Sequence, residues 1–156
     1  MLFRSDIKLG IGLDYDAVPG RPAPNLEIRQ FHFQDRFEFP DRMFDKVTLL
    51  AVLEHIPLEE VDPLFREFRR ILTDGGQILI TTPTPAAKPV LEFLAFKLHL
   101  ISEPEIADHR HYYSEADLRA LAGRHGLEFS TYHNFLFGFN CFASFTKASA
   151  QHAARH

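Results

Sequence analysis

Tryptophan is missing from the 156 residues, cysteine occurs once, methionine twice and glycine eight times. The lone thiol, Cys141, excludes an intramolecular disulfide and a thiolate metal cluster, and it fits a reducing compartment such as the cytoplasm. The opening Met1-Leu2-Phe3-Arg4-Ser5-Asp6 has no long apolar run and does not read as a signal peptide. The longest strongly apolar stretch, Pro89 to Ile101, is interrupted by Glu92, Lys97 and His99. It is shorter than the roughly 20 residues that a spanning helix needs, so no transmembrane segment is expected. An excess of positive charge is missing too: Lys and Arg number 17 against 21 Asp and Glu, for a net charge of -4. A general nucleic-acid binder needs a basic face to neutralise phosphates, so nucleic acid is not an expected partner, although a local basic patch stays open.

What is present points to a packed core. Hydrophobic residues make up 46%, charged residues 24%, and sixteen phenylalanines supply bulk. The length suits one domain, expected over 1–147, with a small-residue tail over 148–156. Lys8 to Asp14 reads as a short buried strand ending in a carboxylate. Pro19 to Pro24 carries three prolines in six residues and cannot be helical. Leu26 to Phe33 alternates like a strand, and Phe44 to Leu50 reads as a second buried strand. A helix follows, with Pro63 expected at its first position and Asp62 as its cap. Its apolar face is Leu64, Phe65, Phe68, Ile71 and Leu72, with Arg66, Arg69 and Arg70 toward the end where the helix dipole favours cations. Asp74-Gly75-Gly76 should stop it, and Gln77 to Thr82 should be the next strand. Ala86 to about Leu100 reads as a helix. Ser114 and Asp117 form a capping-box pattern for a helix running to His125, closed by Gly126. Leu127 to His133 and Phe139 to Phe145 should be two final strands.

Strand-helix alternation in the middle of the chain predicts a parallel sheet with helices on its faces. Ligands of such sheets bind beyond the carboxyl ends of the strands, which directs attention to Asp14, Asp35, Leu50 to His55 and Thr81 to Thr84. Asp14 could accept both hydroxyls of a ribose, or be a solvated turn aspartate. Asp35 could accept from an adenine amino group, or again be a turn residue. His55, at a strand-to-helix junction, could be a general base or a structural group bonded to a backbone carbonyl. His109-Arg110-His111-Tyr112-Tyr113 is the densest polar-aromatic cluster. No third ligand follows from the sequence, so no metal site is expected there.

In this order the pieces resemble class I S-adenosylmethionine-dependent methyltransferases, in particular the small-molecule group described as type 11 or type 12. The resemblance rests on Ile11-Gly12-Leu13-Asp14, then Asp35, Phe39-Pro40 and Phe44-Asp45. It continues through Val52-Leu53-Glu54-His55-Ile56, Phe68-Arg69-Arg70-Ile71-Leu72-Thr73-Asp74-Gly75-Gly76 and Thr81-Thr82-Pro83. It ends on His109, Tyr112 and Ser114, and spans about Gly10 to Leu127. It implies a Rossmann-like α/β sheet, mostly parallel, with an antiparallel C-terminal strand inserted between its neighbours. It implies S-adenosylmethionine as cofactor, with Asp14 on the ribose and Tyr15 lining the adenine pocket. Asp35 would meet the adenine amino group, the Arg36 backbone the ring, and Leu50 and Ala51 the methionine part. His55 would face a small-molecule or lipid-linked acceptor, and a homo-oligomer is open to the chain.

Two departures from the family pattern stand out. The family begins with a strand, a Gly-x-Gly-type loop and a helix, a unit of about 30 residues. Only thirteen residues precede Asp14, and Gly10-Ile11-Gly12 belongs to the strand itself. The expectation is therefore an N-terminally truncated domain without its first strand and glycine-rich loop: a fragment, an alternative start or a decayed copy. A non-catalytic remnant acting as an interaction module is the alternative function. A nicotinamide dehydrogenase also needs a glycine loop, and it leaves Glu54-His55 and Gly75-Gly76 unexplained. The second departure is Ala51, which stands where some relatives carry the first carboxylate of a metal-binding Glu-x-x-Glu-His. The apolar segment Val90 to Ile101, with Phe93 and Phe96, is expected either as core or as a lid over a hydrophobic acceptor.

Overall fold

The computed structural model describes residues 7–33, 36–91 and 111–149. The chain divides into two compact units, Met1–Gln34 and Asp35–His156.

The first unit is a three-stranded sheet of β1 (Gly10–Asp14), β2 (Gly20–Ala23) and β3 (Leu26–Gln30), in the order β1-β3-β2. β1 runs parallel to β3, with Gly10 opposite Leu26 and Asp14 opposite Gln30. A Cβ on Gly12 would fall 2.7 Å from Ile28 Cδ1, and one on Gly10 3.0 Å from Leu26 Cδ1. These glycines therefore let two strands approach, and they do not form a ligand loop. The proline-rich stretch supplies a short antiparallel strand at the sheet edge, where Pro22 costs little because an outward-facing N–H has no partner to lose. β3 ends at Gln30, earlier than the alternation to Phe33 suggested.

The second unit contains β4 (Phe44–Leu50), α1 (Leu58–Ile71), β5 (Leu72–Pro83), α2 (Glu115–Arg124), β6 (Leu127–Phe135) and β7 (Asn140–Lys147). Its sheet has the order β4-β5-β7-β6. β4 and β5 are parallel, while β7 lies between β5 and β6 and is antiparallel to both. The last strand is inserted between neighbours, as expected. β1 and β4 each form an edge of their own sheet.

Helix α1 begins five residues before Pro63, so the expected start at Pro63 is corrected. The apolar stripe reaches back to Val61, and burial of Val61, Leu64, Phe65, Phe68 and Ile71 on one face outweighs the single backbone bond that Pro63 cannot make. Asp62 does not cap; its carboxylate takes His125 Nε2 at 2.8 Å and Arg124 at 3.3 Å. The second correction is at the helix end. β5 starts at once with Leu72, and Gly75, at φ +79°, sits in a bulge between the Phe44–Leu72 and Lys46–Gln77 pairs. Ser114 caps α2 through the expected box, its Oγ accepting from Asp117 N and the Asp117 carboxylate accepting from Ser114 N at 2.8 Å. Gly126 follows at φ +60°.

The core lies between α1, α2 and one face of this sheet. Ile78, Ile80 and Thr82 alternate inward on β5, as Cys141, Ala143 and Phe145 do on β7. Phe65 ties helix to sheet, its ring 5.9 Å from that of Phe145 and 5.5 Å from that of Phe68. Pro85–Ala87 forms a single 3-10 turn and residues 88–91 are helical. The rest of the apolar segment, including Phe93 and Phe96, lies outside the described residues.

Candidate functional site

At the carboxyl end of β1, the backbone leaves the strand in a tight turn. Asp14 Oδ1 accepts from Asp16 N at 2.9 Å and closes it. The other carboxylate oxygen has no hydrogen-bond partner among the described residues. Tyr15 is 65% exposed, and its ring meets that of His32 edge-on at 4.0 Å. Gln30 Nε2 donates to the Tyr15 carbonyl at 3.0 Å and fixes the turn from the neighbouring strand. The unit therefore presents a carboxylate beside a pair of exposed rings at the end of two parallel strands. His32 was not singled out in the sequence, because its partner lies across a strand crossover and no spacing rule connects them.

The second constellation is at the carboxyl ends of β4 and β5. Leu50 ends β4 with 61% of its surface exposed. Ala51 follows at φ 55°, a left-handed conformation that costs a non-glycine residue about 1 kcal/mol. Its N–H donates to both the Thr81 carbonyl at 2.9 Å and Thr81 Oγ1 at 3.1 Å, which holds it there. The 3-10 turn Leu53–His55 comes next, closed by His55 N donating to the Val52 carbonyl at 3.0 Å. Leu53 is fully buried and anchors the turn, while His55 is half-buried.

Glu54, between them, is 1% exposed. Thr82 Oγ1 donates to its Oε2 at 3.0 Å. Thr82 is itself buried and its carbonyl accepts from Cys141 Sγ at 3.5 Å. Burial pushes the Cys141 thiol up and pushes Tyr132 up to about 12. Tyr113 is 4% exposed, and its hydroxyl has no hydrogen-bond partner among the described residues. Burial, with Asp117 and Glu54 adding negative charge, pushes it up to about 12. Thr84 Oγ1 donates to the Gly138 carbonyl at 2.7 Å and Thr84 N to that of Phe139 at 2.9 Å, so the end of β5 is tied to the turn before β7. The sequence marked Glu54 and Thr82 only as members of a stretch. Their pairing across 28 positions is a product of the parallel register.

Of the other expected residues, Arg36 is exposed, and its charge adds a little to the lowering of the Glu67 and Asp41 carboxyls, which comes mainly from their hydrogen bonds to Arg70. Asp35, His109 and Arg110 lie outside the described residues. His111 rests edge-on against Tyr113 at 4.6 Å, and its N–H donates to the Glu54 carbonyl at 3.4 Å. Leu50, Ala51 and His55 are thus brought together on one strand end, and Asp14 and Tyr15 on another.

Residues 8–131 match the family model for a methyltransferase domain. The chain belongs to that methyltransferase family. Similar solved structures agree in fold. A Methanosarcina mazei S-adenosylmethionine-dependent methyltransferase aligns at 15% identity and a TM-score of 0.62, over 89% of this chain and 82% of that one. A Mesorhizobium loti S-adenosylmethionine-dependent methyltransferase aligns at 13% identity and 0.65, over 90% and 81%. The protein held by a methyltransferase activator in a Haloferax volcanii complex aligns at 14% identity and 0.67, over 90% and 73%. No curated protein matches. The fold is the Rossmann-like α/β architecture of these enzymes, and methyl transfer is the family's chemistry. Among the described residues no helix is long and apolar enough to cross a membrane, and no cluster of three metal-ligating side chains occurs.

Proposed function

We propose that the chain serves S-adenosylmethionine-dependent methyl transfer to a small or lipid-linked acceptor. The observation that carries this reading is the Asp14 carboxylate at the carboxyl end of β1, beside the exposed Tyr15 and His32 rings. A carboxylate with an open oxygen suits a vicinal diol, and flat rings suit a purine face. By the family resemblance alone, Asp35 and the Arg36 backbone would take adenine contacts, and Leu50 and Ala51 would pass the methionine part. When bound, the cofactor supplies an already activated methyl on sulfur. The chain then needs mainly to align the acceptor and exclude water. His55 would accept the acceptor's proton, with its turn held by buried Leu53 and by the Thr82–Glu54 bond.

The nucleoside end thus has fitting residues. The amino-acid end is different, because the glycines at 10 and 12 are used in strand packing. The 156-residue chain should therefore hold the cofactor weakly. Saturation-transfer NMR with S-adenosylmethionine tests the reading. Weak binding, reduced about tenfold or more in Asp14→Ala, is expected for loss of a hydrogen bond to a charged group. Binding that ignores Asp14→Ala would overturn the assignment, and micromolar affinity in the isolated chain would overturn the expectation of weak binding. Complete absence of binding would favour the interaction-module reading.

A further inference from the structure

The end of the four-stranded sheet opposite Leu50 and Thr82 carries a feature that methyl transfer does not use. A cleft of about 330 Å³ is lined by Asp41, Arg42, Arg66, Arg69, Arg70 and Lys147. Five cations from three parts of the chain meet there: the turn before β4, the end of α1 and the end of β7.

Arg70 is already engaged. Its guanidinium donates to Glu67 at 2.8 and 2.7 Å, to Asp41 at 2.6 Å, and to the Phe39 and Phe37 carbonyls at 2.8 and 3.0 Å. Arg42 and Lys147 share Asp74 at long range, 3.7 and 3.8 Å. Arg66 and Arg69 are exposed, and neither takes a carboxylate partner among the described residues. The Arg69 guanidinium lies over Gly126, about 3.8 Å from where a Cβ would be, so no side chain closes that wall.

Dipole compensation at the end of α1 accounts for Arg69 and Arg70 on the last turn. It does not account for Lys147 and Arg42. The Lys147 side chain is only 12% exposed, and its ammonium is drawn inward by the Leu72 carbonyl at 2.7 Å. Bringing a half-buried ammonium and Arg42, which share one carboxylate, beside two guanidiniums with no carboxylate partner among the described residues raises the self-repulsion of the fold. An oxyanion between them relieves it. Guanidiniums suit phosphate because their paired N–H groups match its oxygens, and an ammonium adds a point charge.

We infer that this cleft is a binding site for a phosphomonoester group, with Arg66, Arg69 and Lys147 as its ligands. The net charge of the chain is negative, so the cleft is a local exception and selects its ligand by position. It is independent of the proposed cofactor site, which lies at strand carboxyl ends, whereas the cleft gathers at the amino end of β4.

The test uses the whole chain, inorganic phosphate as the soluble probe, and vesicles containing phosphatidic acid as the membrane-borne one. Calorimetry and vesicle co-sedimentation are compared for wild type, the Arg66→Gln/Arg69→Gln pair and Lys147→Met, at matched ionic strength. Binding of either probe that falls about tenfold or more in the double variant supports the site, since two charge-assisted contacts are removed. Binding of inorganic phosphate identifies a soluble phosphate as ligand, and vesicle binding alone identifies a lipid headgroup. Binding of neither probe, or binding unchanged in both variants, overturns the proposal. Arg66 and Arg69 are exposed, so the double variant keeps the fold, which melting verifies. Asp14→Ala should leave phosphate binding intact, which separates this site from the cofactor reading.

Discussion

The two ends of the four-stranded sheet solve the same problem with opposite chemistry. At the carboxyl end, Glu54, Thr82 and Cys141 are buried and linked through Thr82, while the hydroxyl of buried Tyr113 has no partner among the described residues. At the amino end, Arg70 gathers two carboxylates and two carbonyls at the margin of solvent. The first arrangement fixes a turn where a ligand is expected. The second pins residues 37–41 to α1 without filling the interior. A buried polar cluster depends on each bond because desolvation punishes an orphan, whereas a charged network depends on its central cation.

The largest predicted effect follows from that asymmetry. Arg70→Ala leaves Glu67, whose side chain is 11% exposed, without its cation, and among the described residues only Phe37 N still donates to it. A loss of about 3 kcal/mol is expected in urea unfolding. The pH profile sharpens it. Arg70 holds the Glu67 carboxyl below its ordinary 4.5. A depressed folded value means that this stabilisation is complete above about pH 4.5 and fades as pH falls through the folded value. Arg70→Ala should therefore flatten the acid limb of stability. An unchanged acid limb would show that Arg70 is not the central cation.

At the other end, Thr82→Val keeps the shape of the side chain and removes the donor to Glu54. A loss of about 2 kcal/mol is expected, as for a buried acceptor left unsatisfied. A neutral result would mean that Glu54 is held by the 3-10 turn alone. The smallest effect has the opposite sign. Tyr113→Phe removes the unpaired buried hydroxyl, and a gain of about 1 kcal/mol is expected in the same measurement. The Tyr113 hydroxyl is raised from 10.0 to about 12. Wild type should therefore lose stability as pH rises from about 10 through that value. The phenylalanine variant should lose less. If it is destabilised at neutral pH, the hydroxyl has a partner in solution.

These outcomes depend on contacts that sequence reading reaches unevenly. The Ser114–Asp117 box was legible because its whole mechanism lies within four positions. The inserted β7 was expected through family resemblance, and the register confirms it. The start of α1 was misjudged because Pro63 was given priority as a local signal, while burial of Val61 is a tertiary effect. Gly75-Gly76 looked like a helix stop and is a strand bulge, since both need a left-handed glycine. The Tyr15–His32 pair, the Thr82–Glu54 bond and the Lys147 side of the cleft join residues distant in sequence. No periodicity encodes them.

Cys141, the single thiol, is fully buried on β7 between β5 and β6. That placement makes it a built-in clock for the sheet. A thiol reagent can react only when the strands part, so its reaction rate counts openings just as amide exchange would, but at one chosen point. When closing outpaces labelling, the rate gives the free energy of opening; at high reagent it gives the opening rate itself. The chain thus reports its own breathing through its native thiol, with no engineered cysteine.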